Sequence, residues 1–273
     1  MLLHIPEVSK QKGPITAGGK YTLAGMNTEE TVDVPVERLS WLLDEIEHRL
    51  ATAMACNTAS HADFEAQLLM TCWLQISIEY GKVIRTLILN DLEASVGPTE
   101  RALWELWIEW RYLKTTADPR TAAAKVILTA KVEALELGEK HPEFRFEVVE
   151  RLRGDIADLA ATYPQAYDEV CAQRKGRRFH WSGESYSNME RTLVADSAMY
   201  KLLSWDAHGT LAMIRNVRLK RDGDRLTAEF GRSDADPMTD PARIAWSVGG
   251  VLYYMFYDWA DLMQLPPIIM PSA

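Results

Sequence analysis

Nine consecutive residues, Arg177-Arg178-Phe179-His180-Trp181-Ser182-Gly183-Glu184-Ser185, place cations, an imidazole, an indole and hydroxyls together outside any clean helical period. Loops that carry such residues are functional more often than loops that merely connect. A second imidazole, His208, follows Tyr200 and Ser204 at intervals of four, so these three share one helix face with modest drift. Two imidazoles suit general acid–base catalysis near neutral pH, where an unperturbed histidine titrates. Arg101, Glu105 and Glu109 form a third set, again four apart. The planar fork of Arg101 can hold a carboxylate or phosphate, and Glu105 can fix a histidine tautomer. The catalytic set read from these spacings is His180, His208 and Glu105. Arg101, Trp181, Ser182, Tyr200, Ser204, Arg177 and Arg178 would bind the substrate.

Charge points to the substrate class. The chain carries a formal charge of −9, which argues against a surface coated by nucleic acid. Yet Arg174, Lys175, Arg177 and Arg178 precede His180, and Arg215, Arg218, Lys220, Arg221 and Arg225 follow the His208 helix. This local asymmetry suits an anionic small molecule or an RNA backbone, although a solvated basic loop has the same composition. No P-loop, dinucleotide-binding glycine pattern, H-E-x-x-H or G-x-S-x-G occurs, so no motif implies a cofactor or a metal. Glu45-Ile46-Glu47-His48 has the E-x-x-H spacing of di-iron sites but has no second copy, and such a bundle needs two.

The three cysteines, Cys56, Cys72 and Cys171, are far apart and odd in number. A disulfide framework is not expected, and a reducing cytoplasm is the predicted compartment. The N-terminal apolar run is too short for a signal peptide. The most apolar stretch, Val248 to Tyr257, falls short of the ~20 residues a membrane span requires.

The elements that must position these groups read as helices. Residues 1–30, rich in glycine and without sustained period, are predicted as an extended arm, and residues 31–273 as a single helical domain. Pro35 opens a helix to about Cys56 with Leu39, Leu42, Leu43, Ile46 and Leu50 on one face. A long helix ends near Glu93, and Thr99 is the expected N-cap of a helix over Glu100–Thr116. That helix is apolar almost all round, with Trp104, Trp107 and Trp110, and such helices are buried. Its charged stripe therefore needs polar partners, because unpaired buried charge is costly. Asp118-Pro119 caps an alanine-rich helix to about Lys140. Further helices are predicted over 143–161, from Pro164 to Gln173, near Asn188–Val194, from Asp196 to Arg215 and over Ala242–Met263. The last is a core helix or a homodimer face, with core preferred. Period-two alternation around Asp222-Gly223 predicts a β-hairpin near 216–230. The expected fold is mainly α, an irregular bundle of about seven to nine helices with that one hairpin.

Taken in order, Arg101-Ala-Leu-Trp-Glu105, His180-Trp-Ser-Gly183 and Tyr200-x-x-x-Ser204-x-x-x-His208 resemble a bacterial all-helical family catalogued as domain of unknown function 5677. The resemblance spans roughly residues 65–215 and implies a shared pocket on a helical fold, with no reaction attached. Arg174 and His180 also match the loose R-x(4–6)-H spacing of HEPN-type ribonucleases, but a lysine follows the arginine and the segment reads as loop. Two functional classes follow. One is a metal-independent phosphodiesterase or ribonuclease in a phage-defence or toxin setting. The other is a non-catalytic scaffold, or a sensor of an anionic ligand, whose polar cluster specifies the fold.

Overall fold

The computed structural model describes residues 36–56, 64–92, 95–141, 146–174, 180–193, 199–207, 217–222, 225–230, 240–266 and 268. Leu39, Leu42, Leu43, Ile46 and Leu50 line one face of α1 (Val36–Cys56), and all five are buried. They pack on α2 (Phe64–Leu89) and on the last helix, α9 (Pro241–Leu262). Gly81 of α2 marks the closest approach. A Cβ built there would stand 2.7 Å from Leu43 Cδ2 and 2.9 Å from Leu252 Cδ1, so any side chain would require these two buried leucine ends to shift. α2 stops at Leu89, with Asp91 in the left-handed region at φ 57°, which the short polar side chain of Asp tolerates.

α3 (Gly97–Thr115) crosses α2 and sends Leu103, Trp104, Ile108, Trp110 and Leu113 into the core. Its start differs from expectation. Val96 is the N-cap, without a side-chain bond, and Thr99 lies inside the first turn. Pro98 fits that turn because a proline there forfeits no hydrogen bond. The tryptophans are core residues: Trp104 and Trp110 are buried, and Trp107 stacks on Trp104 at 4.6 Å. α9 is the most apolar helix of the core, with Ile244, Val248, Leu252, Met255, Phe256 and Trp259 buried. Asp258 fastens it to α3, accepting from Trp110 Nε1 at 3.0 Å and Lys114 Nζ at 2.6 Å.

A smaller core joins α4 (Pro119–Lys140), α5 (Phe146–Thr162) and α6 (Pro164–Arg174) through Leu128, Val132, Ile156, Ala166 and Val170. Asp118 caps α4, accepting from the Thr121 N–H at 3.1 Å and the Thr121 hydroxyl at 2.5 Å. Those bonds hold its carboxyl below the ordinary aspartate range. The cap therefore contributes fully above the unfolded value and is lost as pH falls through the lower folded one. Asp118→Ala should cost about 1 kcal/mol near neutral pH. In denaturant titrations the gap between wild type and variant should close in acid.

α7 (Tyr186–Leu193) and α8 (Met199–Ala207) both lie on α3. The expected fold class needs one correction. Among the described residues the bundle is all-helical, and no strand contributes to either of its cores. Val217–Asp222 and Arg225–Phe230 pair antiparallel, Val217 opposite Phe230, but these two segments chiefly contact each other, and among the described residues no helix packs on them to a comparable extent. Alternation and an Asp-Gly turn specify local pairing only, and a lone two-stranded ribbon adds no layer to a core. The N-terminal arm, residues 1–30, lies outside the described residues. Among the described residues, no helix is long and apolar enough to cross a membrane.

Candidate functional site

The charged stripe of α3 faces α7, α8 and the turn that begins at His180, and its partners divide it into two ends. At the first end, Arg101 Nε donates to Glu105 Oε1 at 2.9 Å, and another of its nitrogens reaches the Tyr200 hydroxyl at 3.2 Å. The guanidinium also lies over the Tyr200 ring, 5.4 Å from its centre. Partial burial opposes the charge of Arg101, but the hydrogen bond and charge of Glu105 outweigh it and hold this group above the usual arginine range. Tyr200 is raised in turn, by its own burial first and then by the charge of Glu105.

Between the ends, Glu190 of α7 is only 2% exposed. Its Oε1 accepts from Trp104 Nε1 at 3.1 Å and from the backbone N–H of Tyr200 at 3.0 Å. The second bond satisfies a first-turn N–H of α8 that has no intrahelical partner. A buried carboxylate at a helix N-terminus also meets a favourable dipole. Glu190 thereby ties α3, α7 and α8 together.

At the second end, the Tyr186 hydroxyl donates to Glu109 Oε1. His180 Nε2 lies 3.5 Å from the same oxygen, an ion-pair distance lacking the alignment of a hydrogen bond. The other ring nitrogen, Nδ1, stands 2.7 Å from Ser182 Oγ and accepts the Ser182 backbone N–H at 3.3 Å. With Nδ1 accepting, a neutral ring carries its proton on Nε2, toward Glu109. The side chains of His180 and Glu109 are 19% and 13% exposed, so this end is sheltered and still reaches the surface. Trp181 is buried beside it, edge-on to Tyr112.

The turn is held by its backbone. The Gly183 N–H donates to the His180 carbonyl at 2.9 Å, and Gly183 has φ +74°, a conformation glycine adopts without strain. Ser182 Oγ accepts the Glu184 N–H at 3.1 Å, and the Ser185 hydroxyl accepts from the Asn188 N–H at 3.3 Å to open α7.

Arg101, Glu105 and Tyr200 thus meet at one end, and His180 and Ser182 at the other, with Trp181 beneath. The ends touch through the Tyr186 and Tyr200 rings, 5.7 Å apart. Ser204 is half-buried one turn beyond Tyr200 on α8. His208, Arg177 and Arg178 lie outside the described residues. Among the described residues, the carboxylate beside His180 is Glu109, whereas Glu105 is bonded to Arg101. Tyr186, Glu109 and Glu190 are the participants that the sequence reading did not assign. Their signals are simple: Glu109 is the third member of the α3 stripe, and Tyr186 and Glu190 are four apart on one helix face.

Tyr186 yields a prediction. Burial, followed by the adjacent charge and hydrogen bond of Glu109, pushes its phenol far above the ordinary tyrosine range. A raised folded value leaves stability intact below the unfolded pKa and erodes it as pH climbs toward the folded one. Wild type should therefore lose stability above about pH 10. Tyr186→Phe, which has no such proton, should show a shallower alkaline loss in denaturant titrations.

Among the described residues, no group of three or more His, Cys, Asp and Glu side chains is placed to hold a metal ion. No protein-family model, curated protein or solved structure matches the chain, so a functional reading has to rest on this geometry.

Proposed function

We propose that the chain is a metal-independent hydrolase of phosphodiesters, RNA or a nucleotide, in which His180 is the general acid–base. The observation behind the reading is the contact series from Glu109 to His180 to Ser182 at the edge of the bundle. A sheltered carboxylate behind an imidazole holds its orientation and stabilises its protonated form, while the outer nitrogen remains available for proton transfer. Among the described residues, Trp181 Nε1 and Gln173 Oε1 are buried without a hydrogen-bond partner. Two such atoms beside one turn are unusual in a folded chain and suit a site that binds a polar group. Arg174, Lys175, Arg177 and Arg178 precede His180 in the sequence, and this run would attract an anionic substrate.

In this reading His208, four residues beyond Ser204, is the second imidazole of the set. Arg101 shifts from substrate binding to fastening, since Glu105 and Tyr200 already engage it. RNA cleavage in bacterial defence or toxicity is the specific form we favour. The test is hydrolysis of RNA and of bis(p-nitrophenyl) phosphate by the full chain and by His180→Ala. Equal rates in both would remove the reading.

One observation favours a second reading. Arg101, Glu105, Glu190 and Tyr200 satisfy one another inside the bundle, as a fold-specifying network would. A chain with no turnover and a large loss of melting temperature in Arg101→Ala would have this scaffold role.

A further inference from the structure

We propose that Ser182 is a nucleophile and that hydrolysis passes through a phosphoserine ester at this residue; the inference rests on the hydrolase reading and adds a covalent step to it. Ser182 Oγ is 2.7 Å from His180 Nδ1, within range for direct proton transfer. The Glu184 N–H occupies one lone pair of that oxygen, and of the two acceptors within reach of the hydroxyl proton His180 Nδ1 at 2.7 Å is far closer than Met189 Sδ at 3.5 Å. On the far side of the ring, Nε2 faces Glu109, whose charge favours the imidazolium formed when the proton arrives. Carboxylate, imidazole and hydroxyl thus stand in the order an activated serine requires.

The oxygen is also held in place. Gly183 closes the turn onto the His180 carbonyl, and the Ser182 hydroxyl touches Met189 Sδ at 3.5 Å. Ser182 is half-buried, while Gly183 and Glu184 beside it are exposed. The turn that carries the hydroxyl therefore reaches the surface. The unpartnered Trp181 Nε1 and Gln173 Oε1 leave polar capacity next to the same turn. Gln173 is close, its Nε2 lying 3.3 Å from where a Cβ on Gly183 would be.

The chemistry balances with water alone. A bond forms between Ser182 Oγ and phosphorus as the hydroxyl proton passes to His180 Nδ1. The bond from phosphorus to the leaving oxygen breaks, and the departing alcohol takes that proton. Water then attacks phosphorus and gives a proton to Nδ1. The bond to Ser182 Oγ breaks, and the serine recovers its proton. The sum is one phosphodiester and one water converted to an alcohol and a phosphomonoester.

The alternative for the same contact is a turn-stabilising hydrogen bond between residues two apart, and a phosphorus electrophile separates the two. The full chain is treated with a fluorophosphonate, and adducts are located by peptide mass spectrometry. A single adduct on Ser182 is expected, formed about 100-fold more slowly in His180→Ala and absent in Ser182→Ala. Wild-type protein that is folded by circular dichroism yet carries no adduct at Ser182 would overturn the proposal, as would equal labelling in His180→Ala. Turnover of bis(p-nitrophenyl) phosphate distinguishes the two levels. Turnover retained in Ser182→Ala removes the covalent step and leaves the hydrolase reading standing. A labelled Ser182 without wild-type turnover removes that reading and leaves the nucleophile.

Discussion

Arg243→Ala should lower the unfolding free energy by roughly 3–5 kcal/mol, the range expected when one partner of a buried ion pair is removed. Two parallel bonds join Arg243 to Glu100, at 2.7 and 3.2 Å. The two side chains are only 11% and 4% exposed. Glu100 lies in the first turn of α3 and Arg243 in the first turn of α9, so this pair ties the helix that carries the stripe to the main core helix. Truncating the arginine strands a carboxylate in an apolar setting, which is where the cost arises. For a domain of this size the melting temperature should fall by roughly 10 °C. Replacing both residues together by methionine and leucine should recover much of that loss, since a well-packed apolar pair avoids the desolvation penalty. A double variant no more stable than Arg243→Ala would mean that the pair contributes more than mutual charge compensation.

Much of the bundle was legible because its signals are local. Pro35 before an apolar face and Asp118-Pro119 at the head of α4 are start signals whose physics involves one turn of chain. The all-round apolar character of α3 announced burial, and its stripe announced polar company. Which residues would keep that company was not local. Four residues of α-helix advance about 400°, so each step along the stripe turns about 40°. By Glu109 the stripe has rotated away from α8 and toward the turn at His180. The sequence spacing assigned Glu105 to a histidine; among the described residues Glu105 bonds to Arg101, and the carboxylate beside His180 is Glu109. Tyr186 was harder still. Its partner is 77 residues earlier in the chain, and only the packing of α7 on α3 brings them together. Thr99 was misread for a different reason. It has the composition of a cap, but Gly97-Pro98 already satisfies the geometry of a first turn, so the helix starts before it.

His180→Ala should have the opposite profile to Arg243→Ala. It removes a half-buried ring whose one close side-chain hydrogen-bonding partner among the described residues is Ser182 Oγ, a contact of about 1 kcal/mol. Its ring contacts, tilted on Trp181 and edge-on to Tyr186, add about as much again, so the melting temperature should fall only a few degrees. Turnover should fall about 10²- to 10⁴-fold, the usual contribution of a positioned acid–base. That split between stability and rate marks chemistry, since a structural fastener would lose both together. The decisive measurement is therefore the rate of bis(p-nitrophenyl) phosphate and RNA hydrolysis by the full chain and by His180→Ala, each paired with its own melting temperature. The account predicts turnover in wild type that drops at least about 100-fold in the variant while both proteins remain folded at the assay temperature. No wild-type turnover, or the same rate in both proteins, would contradict it.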